Sequence, residues 1–129
     1  MSAESELRDW ILGDDAIKAE IGTRIYPKLI PMAADVPAIA YQRISSLPQK
    51  RRNGRANEKI RYQITAVSTT YLKVRALIDA LKQRIESYSA DDAKIISMEW
   101  TNDNDEGQGF TTDYHPARLD VIVFYCNQR

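Results

Sequence analysis

The chain has 129 residues, 43% hydrophobic and 28% charged, the size and usage of one ordinary globular domain. That excludes disorder, collagen and coiled coil as whole-chain answers, and a core can form without a metal or a disulfide. The 18 Lys+Arg balance the 18 Asp+Glu, which excludes a uniformly basic nucleic-acid binder but not a local basic patch.

The start, Met1 to Glu6, is acidic and polar, whereas a secretory signal begins basic and continues apolar. No window approaches the roughly 20 apolar residues that span a bilayer. The expectation is a soluble protein made and assembled inside a cell, with no membrane partner. Leu7, Trp10 and Ile11 fall at helical spacing, and Gly13 stops the run. Asp14 is placed to cap a second short turn carrying Ile17 and Ile21, with Gly22 after it. From Tyr26-Pro27 through Pro31 to Val36-Pro37, repeated proline forbids a helix and predicts irregular, extended chain with turns.

Ala38 to Ser46 reads as the first strand, with Ile39 and Tyr41 on one face and Gln42 and Ile44 on the other. A polar run, Pro48 to Lys59, contains the turn dipeptide Asn53-Gly54. Ile60, Tyr62, Ile64 and Ala66 then alternate with Arg61, Gln63 and Thr65, the period of a strand with one buried face. These two strands and their basic loop form a long β-hairpin. Between Thr70 and Tyr88, apolar residues at Val74, Leu77, Ile78, Leu81, Ile85 and Tyr88 mark one face of an amphipathic helix. Thr69 or Thr70 caps it, and Arg75–Asp79 and Lys82–Glu86 make opposite-charge pairs on its wet side. Ile96, Met98 and Trp100 give a third strand, followed by an acidic loop from Asn102 to Gly109. Arg118 to Tyr125 is the fourth, with Leu119, Val121, Val123 and Tyr125 on one face and Ile122 and Phe124 on the other. A strand apolar on both faces is central or covered, and a partner subunit is one candidate cover. The predicted fold class is α+β, one domain over 1–129. It has a four-stranded, mainly antiparallel sheet, one long amphipathic helix on one face and a short N-terminal helical segment.

Catalytic signals are sparse. Cys126 and His115 are the only residues of their kinds, which excludes an internal disulfide, a thiolate cluster and any two-histidine metal motif. Nucleophilic chemistry needs His115, with Asp113 nearby and Cys126 beyond the last strand, and nothing in the spacing gathers them. Neither G-x-G-x-x-G nor G-x-x-x-x-G-K-[ST] occurs, so no phosphate cradle and no cofactor is expected. Asn102 to Gly107 begins with the alternation of a calcium loop. Its twelfth position falls on Tyr114 or Asp113, according to the start chosen, in place of the glutamate such a loop needs.

The charge map carries more. From Arg43 to Arg61 seven bases face one acid, and from Asp91 to Asp113 seven acids face one base. Two solvated loops are one reading. Contact is the sharper one: the basic tip (Lys50, Arg51, Arg52, Arg55, Lys59) of one copy meets the acidic side (Asp103, Asp105, Glu106) of the next. Such a head-to-tail contact closes into a ring when the rotation permits. A third reading is a small non-specific nucleic-acid-binding module using the basic loop 50–61. Lys50-Arg51-Arg52 supplies phosphate partners there, but the loop has no aromatic residue to stack a base.

The order of several segments resembles a known family. The N-terminal Leu7 to Leu12 helix leads into Ile21-Gly22-Thr23-Arg24-Ile25-Tyr26-Pro27. Val36 to Ser45, Arg61 to Ser68 running straight into the long helix, and Arg118 to Tyr125 follow. Across nearly the whole chain this is similar to the tail-completion proteins of long-tailed bacteriophages and prophages, also called tail terminators or tail-to-head joining proteins. The resemblance implies a small α+β fold doing structural work without catalytic residues. It implies a homo-oligomer, a six-fold ring at the head-proximal end of the tail tube, with the tail-tube protein and a head connector or stopper as partners. DNA passes through the lumen, with non-specific contact. It also implies a place at the tail–head junction of the virion, after assembly in the host cytoplasm.

Overall fold

A computed structural model describes residues 3–28, 30, 35–50, 56–89, 95–105 and 115–126. The elements, in chain order, are helices α1 (Ala3–Leu12) and α2 (Asp15–Ile21), strands β1 (Ile25–Pro27), β2 (Ala38–Lys50) and β3 (Ala56–Ser68), helix α3 (Tyr71–Glu86), and strands β4 (Ile95–Asp105) and β5 (His115–Cys126). They form one five-stranded sheet of order β1-β2-β3-β5-β4. The α+β class stands. The sheet is mixed, because β1 runs parallel to β2 while the other three pairings are antiparallel.

Local chemistry sets the helix boundaries. Asp14 accepts from the backbone N–H groups of Ala16 and Ile17 at 2.9 and 3.2 Å, starting α2. Gly22 ends it at φ 60°, ψ −116°, a conformation a side chain resists. Thr70 caps α3 by accepting from Lys73 N–H at 3.2 Å. The core stripe of α3 is Val74, Leu77, Ile78, Leu81 and Ile85, all buried. It packs on the sheet face formed by Ile60, Tyr62, Ile64 and Ala66 of β3 and Ala117, Leu119, Val121, Val123 and Tyr125 of β5. Leu7 and Ile11 of α1 and Ile17 and Ile21 of α2 join the same core. Three helices thus share this face. The other face has no helix on it among the described residues, and strand alternation assigns Ile122 and Phe124 of β5 to it.

The structure corrects three expectations. The N-terminal segment is two separate helices beside α3. The Pro-rich stretch opens with β1: Ile25 pairs with Ile39 and Pro27 with Tyr41, and Ile25 is buried. A three-residue strand has no readable period; only its distant partner defines it. The acidic segment expected as loop from Asn102 continues β4 to Asp105, paired with Asp120, Arg118 and Ala117 of β5. Its polar composition hid an extension made by backbone pairing. β5 is central in the sheet, between β3 and β4, and Ile122 and Phe124 on its helix-free face are half-buried.

Candidate assembly interface

The acidic side is built from β4 and α3. A register shift between Trp100 and Asn102 advances the strand by one residue, so Asp103 and Asp105, not Asn102 and Asn104, turn towards the helix. There Arg75 grips Asp103 with two bonds, Nη1 to Oδ1 at 2.8 Å and Nη2 to Oδ2 at 2.6 Å, and Lys82 Nζ adds a third at 2.8 Å. The Arg75 bonds, followed by those of Lys82, hold the Asp103 carboxyl down to about 2. Asp105 accepts from the Tyr71 hydroxyl at 2.9 Å and from Arg75 at 3.5 Å, and the Tyr71 bond pushes that phenol up. Lys82 also lies over the Trp100 ring at 4.4 Å, while Trp100 Nε1 donates to Glu86 at 3.0 Å. The Asp103 side chain is only 11% exposed and that of Asp105 is 48% exposed. Asp103 is therefore engaged inside its own subunit, and Asp105 presents charge to solvent.

The basic side is built from the β2–β3 hairpin. Lys59 pairs across strands with Leu47 of β2 and Phe124 of β5; one row on, Arg61 lies between Ser45 and Ile122. Arg61 reaches Asp120 at 3.5 Å and keeps half of its side chain in solvent. From the middle of the hairpin outward, Arg43 bonds Glu4 of α1 at 2.7 Å and Glu58 at 3.5 Å, Ser46 donates to Glu58, and the Arg43 guanidinium lies 6.0 Å over the Tyr62 ring. Burial, followed by the nearby Glu4, pushes the Tyr62 phenol up to about 12. This network fixes the arm that carries the basic tip. Of the sequence candidates, Lys50 ends β2, whereas Arg51, Arg52, Arg55 and Glu106 lie outside the described residues.

The expected Arg75–Asp79 pair is present, whereas Lys82 pairs with Asp79 and Asp103 in place of Glu86, and the sequence reading missed Asp103 as the main partner of both cations. Arg75 stands 3.9 Å from Asp79, and Lys82 reaches the same acid at 3.9 Å, but the short bonds of both go to Asp103. The signal was present: two cations seven residues apart flank the apolar stripe, where a packed strand approaches. His115 and Cys126 sit at opposite ends of β5, about 35 Å apart in an extended strand, so they share no site. Among the described residues no cluster of three or more His, Cys, Asp or Glu could hold a metal, and no helix is long and apolar enough to cross a membrane.

The fold has a counterpart in a virion. A chain of the "Virion of native gene transfer agent (GTA) particle" superposes with a TM-score of 0.68 at 10% identity, covering 92% of this chain and 90% of that one. No curated protein matches. At 10% identity the likeness to the virion chain is one of fold. The family model described as "Tail completion protein gp17" matches residues 5–125, and the chain belongs to that family.

Proposed function

We propose that six copies form a ring at the head-proximal end of a long phage-type tail, ending tube growth and joining tail to head. The tail-tube protein binds one side, a head connector or stopper protein binds the other, and DNA passes through the lumen. The chain works as a single domain over 1–129, without catalysis. It assembles in the host cytoplasm and ends at the tail–head junction. The family match over residues 5–125 carries this reading, and the likeness to a gene transfer agent chain supports it.

The strand ends add physical support. β2 ends and β3 begins at the basic tip, at one end of the sheet; β4 ends and β5 begins beside the acidic segment, at the other. Opposite charge at opposite ends favours head-to-tail association. Lys50, Arg51, Arg52, Arg55 and Lys59 form one contact surface. Asp105 and Glu106 form the other, with Asp103 holding the acidic strand in place.

Light scattering behind size exclusion, across concentration and at two salt levels, tests the reading, with negative-stain images of the heaviest fraction. Closed rings are expected. A chain that stays monomeric and fails to bind isolated tails overturns it. Binding to linear DNA that falls steeply with salt, without assembly, would replace it by the nucleic-acid reading.

A further inference from the structure

Four large apolar side chains are exposed among the described residues, and they occur as two neighbouring pairs: Ile44 with Leu47 on β2, and Tyr71 with Leu72 at the start of α3. Single exposed apolar residues are ordinary. These pairs differ in their charged neighbours: Lys59 and Arg61 stand beside the first, Arg61 paired with Asp120, and Asp105 stands beside the second, paired with Arg75. Leu47 shares the helix-free face with Phe124, and Lys59 stands between them, with Arg61 in the next row. Leu72 is 79% exposed, and its neighbour Tyr71 bonds Asp105.

The two corners lie on opposite faces and at opposite ends of the molecule. β3 runs from the hairpin tip to Ser68, and α3 begins three residues later on the helical face. One copy cannot bring its own corners together, whereas two copies stacked head to tail can. Pairing either corner with itself would set Lys59 against Lys59 or Asp105 against Asp105. Strand addition at the sheet edges is disfavoured. Beyond Tyr41 the outer edge of β2 carries a register shift at Arg43/Ser45 and then Pro48, and β4 carries two register shifts, the features that blunt edges.

The geometry points to a contact between copies of this chain. Tyr71 and Leu72 of one subunit seat on the Leu47–Phe124 strip of the next, with Asp105 facing Lys59 and Arg61. This deepens the ring reading and rests on it: the contact joins unlike surfaces, so it repeats from copy to copy until the ring closes.

Leu47→Cys and Leu72→Cys variants, treated with a short bismaleimide, test the contact in purified assemblies and in isolated particles. Cys126 is buried, and the unsubstituted chain serves as its control. Mixing the two variants gives a cross-linked dimer, either variant alone gives none, and the double variant gives a ladder. A cross-link within either single variant, or assembled rings with no cross-link in the double variant, overturns the contact and leaves the ring standing. The absence of any assembly, in solution and in particles, overturns both. As a second measurement, Leu72→Lys weakens self-association about tenfold or more at unchanged Tm, since the side chain packs little in its own subunit. Unchanged association in that variant overturns the contact as well.

Discussion

At the scale of single residues, Asp103 has the most to lose from acid. Its carboxyl titrates near 2 in the folded protein, against about 4 in an unfolded chain. The folded value is the lower one, so its stabilising contribution is complete above about pH 4 and disappears as pH falls towards 2. The difference corresponds to about 2 kcal/mol. Asp103→Asn is expected to lower stability by that order at pH 7 and to flatten the stability curve between pH 5 and 2, as followed by urea unfolding. An unchanged acid limb would sink the assignment. Gly22 is the second sensitive position. Its φ of 60° lies where a Cβ is strained, so Gly22→Ala is expected to cost about 1–2 kcal/mol. The measurement is the fall in Tm, and an equal or higher Tm would contradict it.

At the scale of elements, the sheet order predicts unequal protection. β3 and β5 are central and buried, whereas β1 and β4 are edges. Backbone amides of β3 and β5 are expected to exchange slowest and those of β1 among the fastest. Hydrogen exchange that found β1 as protected as β5 would contradict the topology. The same contrast explains what the sequence revealed. β3 and α3 advertise themselves through clean periods of two and 3.6, and the Asp14 and Thr70 caps are local chemistry. β1 and the distal half of β4 are not local: three residues beside β2, and an acidic run beside β5, become strands only through partners far along the chain. Register shifts near Ile95/Ser97 and Trp100/Asn102 also break the alternation, which concealed that Asp103 meets Arg75 and Lys82. Of the candidate contact surfaces, the charge segregation was legible. The Leu47 and Tyr71–Leu72 corners were not, because exposure belongs to the folded chain.

At the scale of the whole molecule, the prediction concerns assembly. Reversing charge at the basic tip, as Arg51→Asp with Arg52→Asp, is expected to impair ring formation or tail attachment while changing the monomer's unfolding free energy by no more than about 1 kcal/mol. Electron microscopy of particles carrying the variant is the check. Normal joined particles would remove the tip from the interface. High salt is expected to weaken assembly through the same charges.

The chain's 2 tryptophans each lie under a cation. Arg84 lies 4.8 Å over Trp10, near the end of α1, and Lys82 lies 4.4 Å over Trp100 in β4. Arg84 also donates two hydrogen bonds to the Trp10 carbonyl, and Lys82 is the ammonium that Asp103 releases when it is protonated. The protein therefore carries two built-in optical reporters. With Trp10→Phe, the remaining emission follows acid release at β4; with Trp100→Phe, it follows α1 lifting from α3. Loosening of either side of the molecule can be watched without a label.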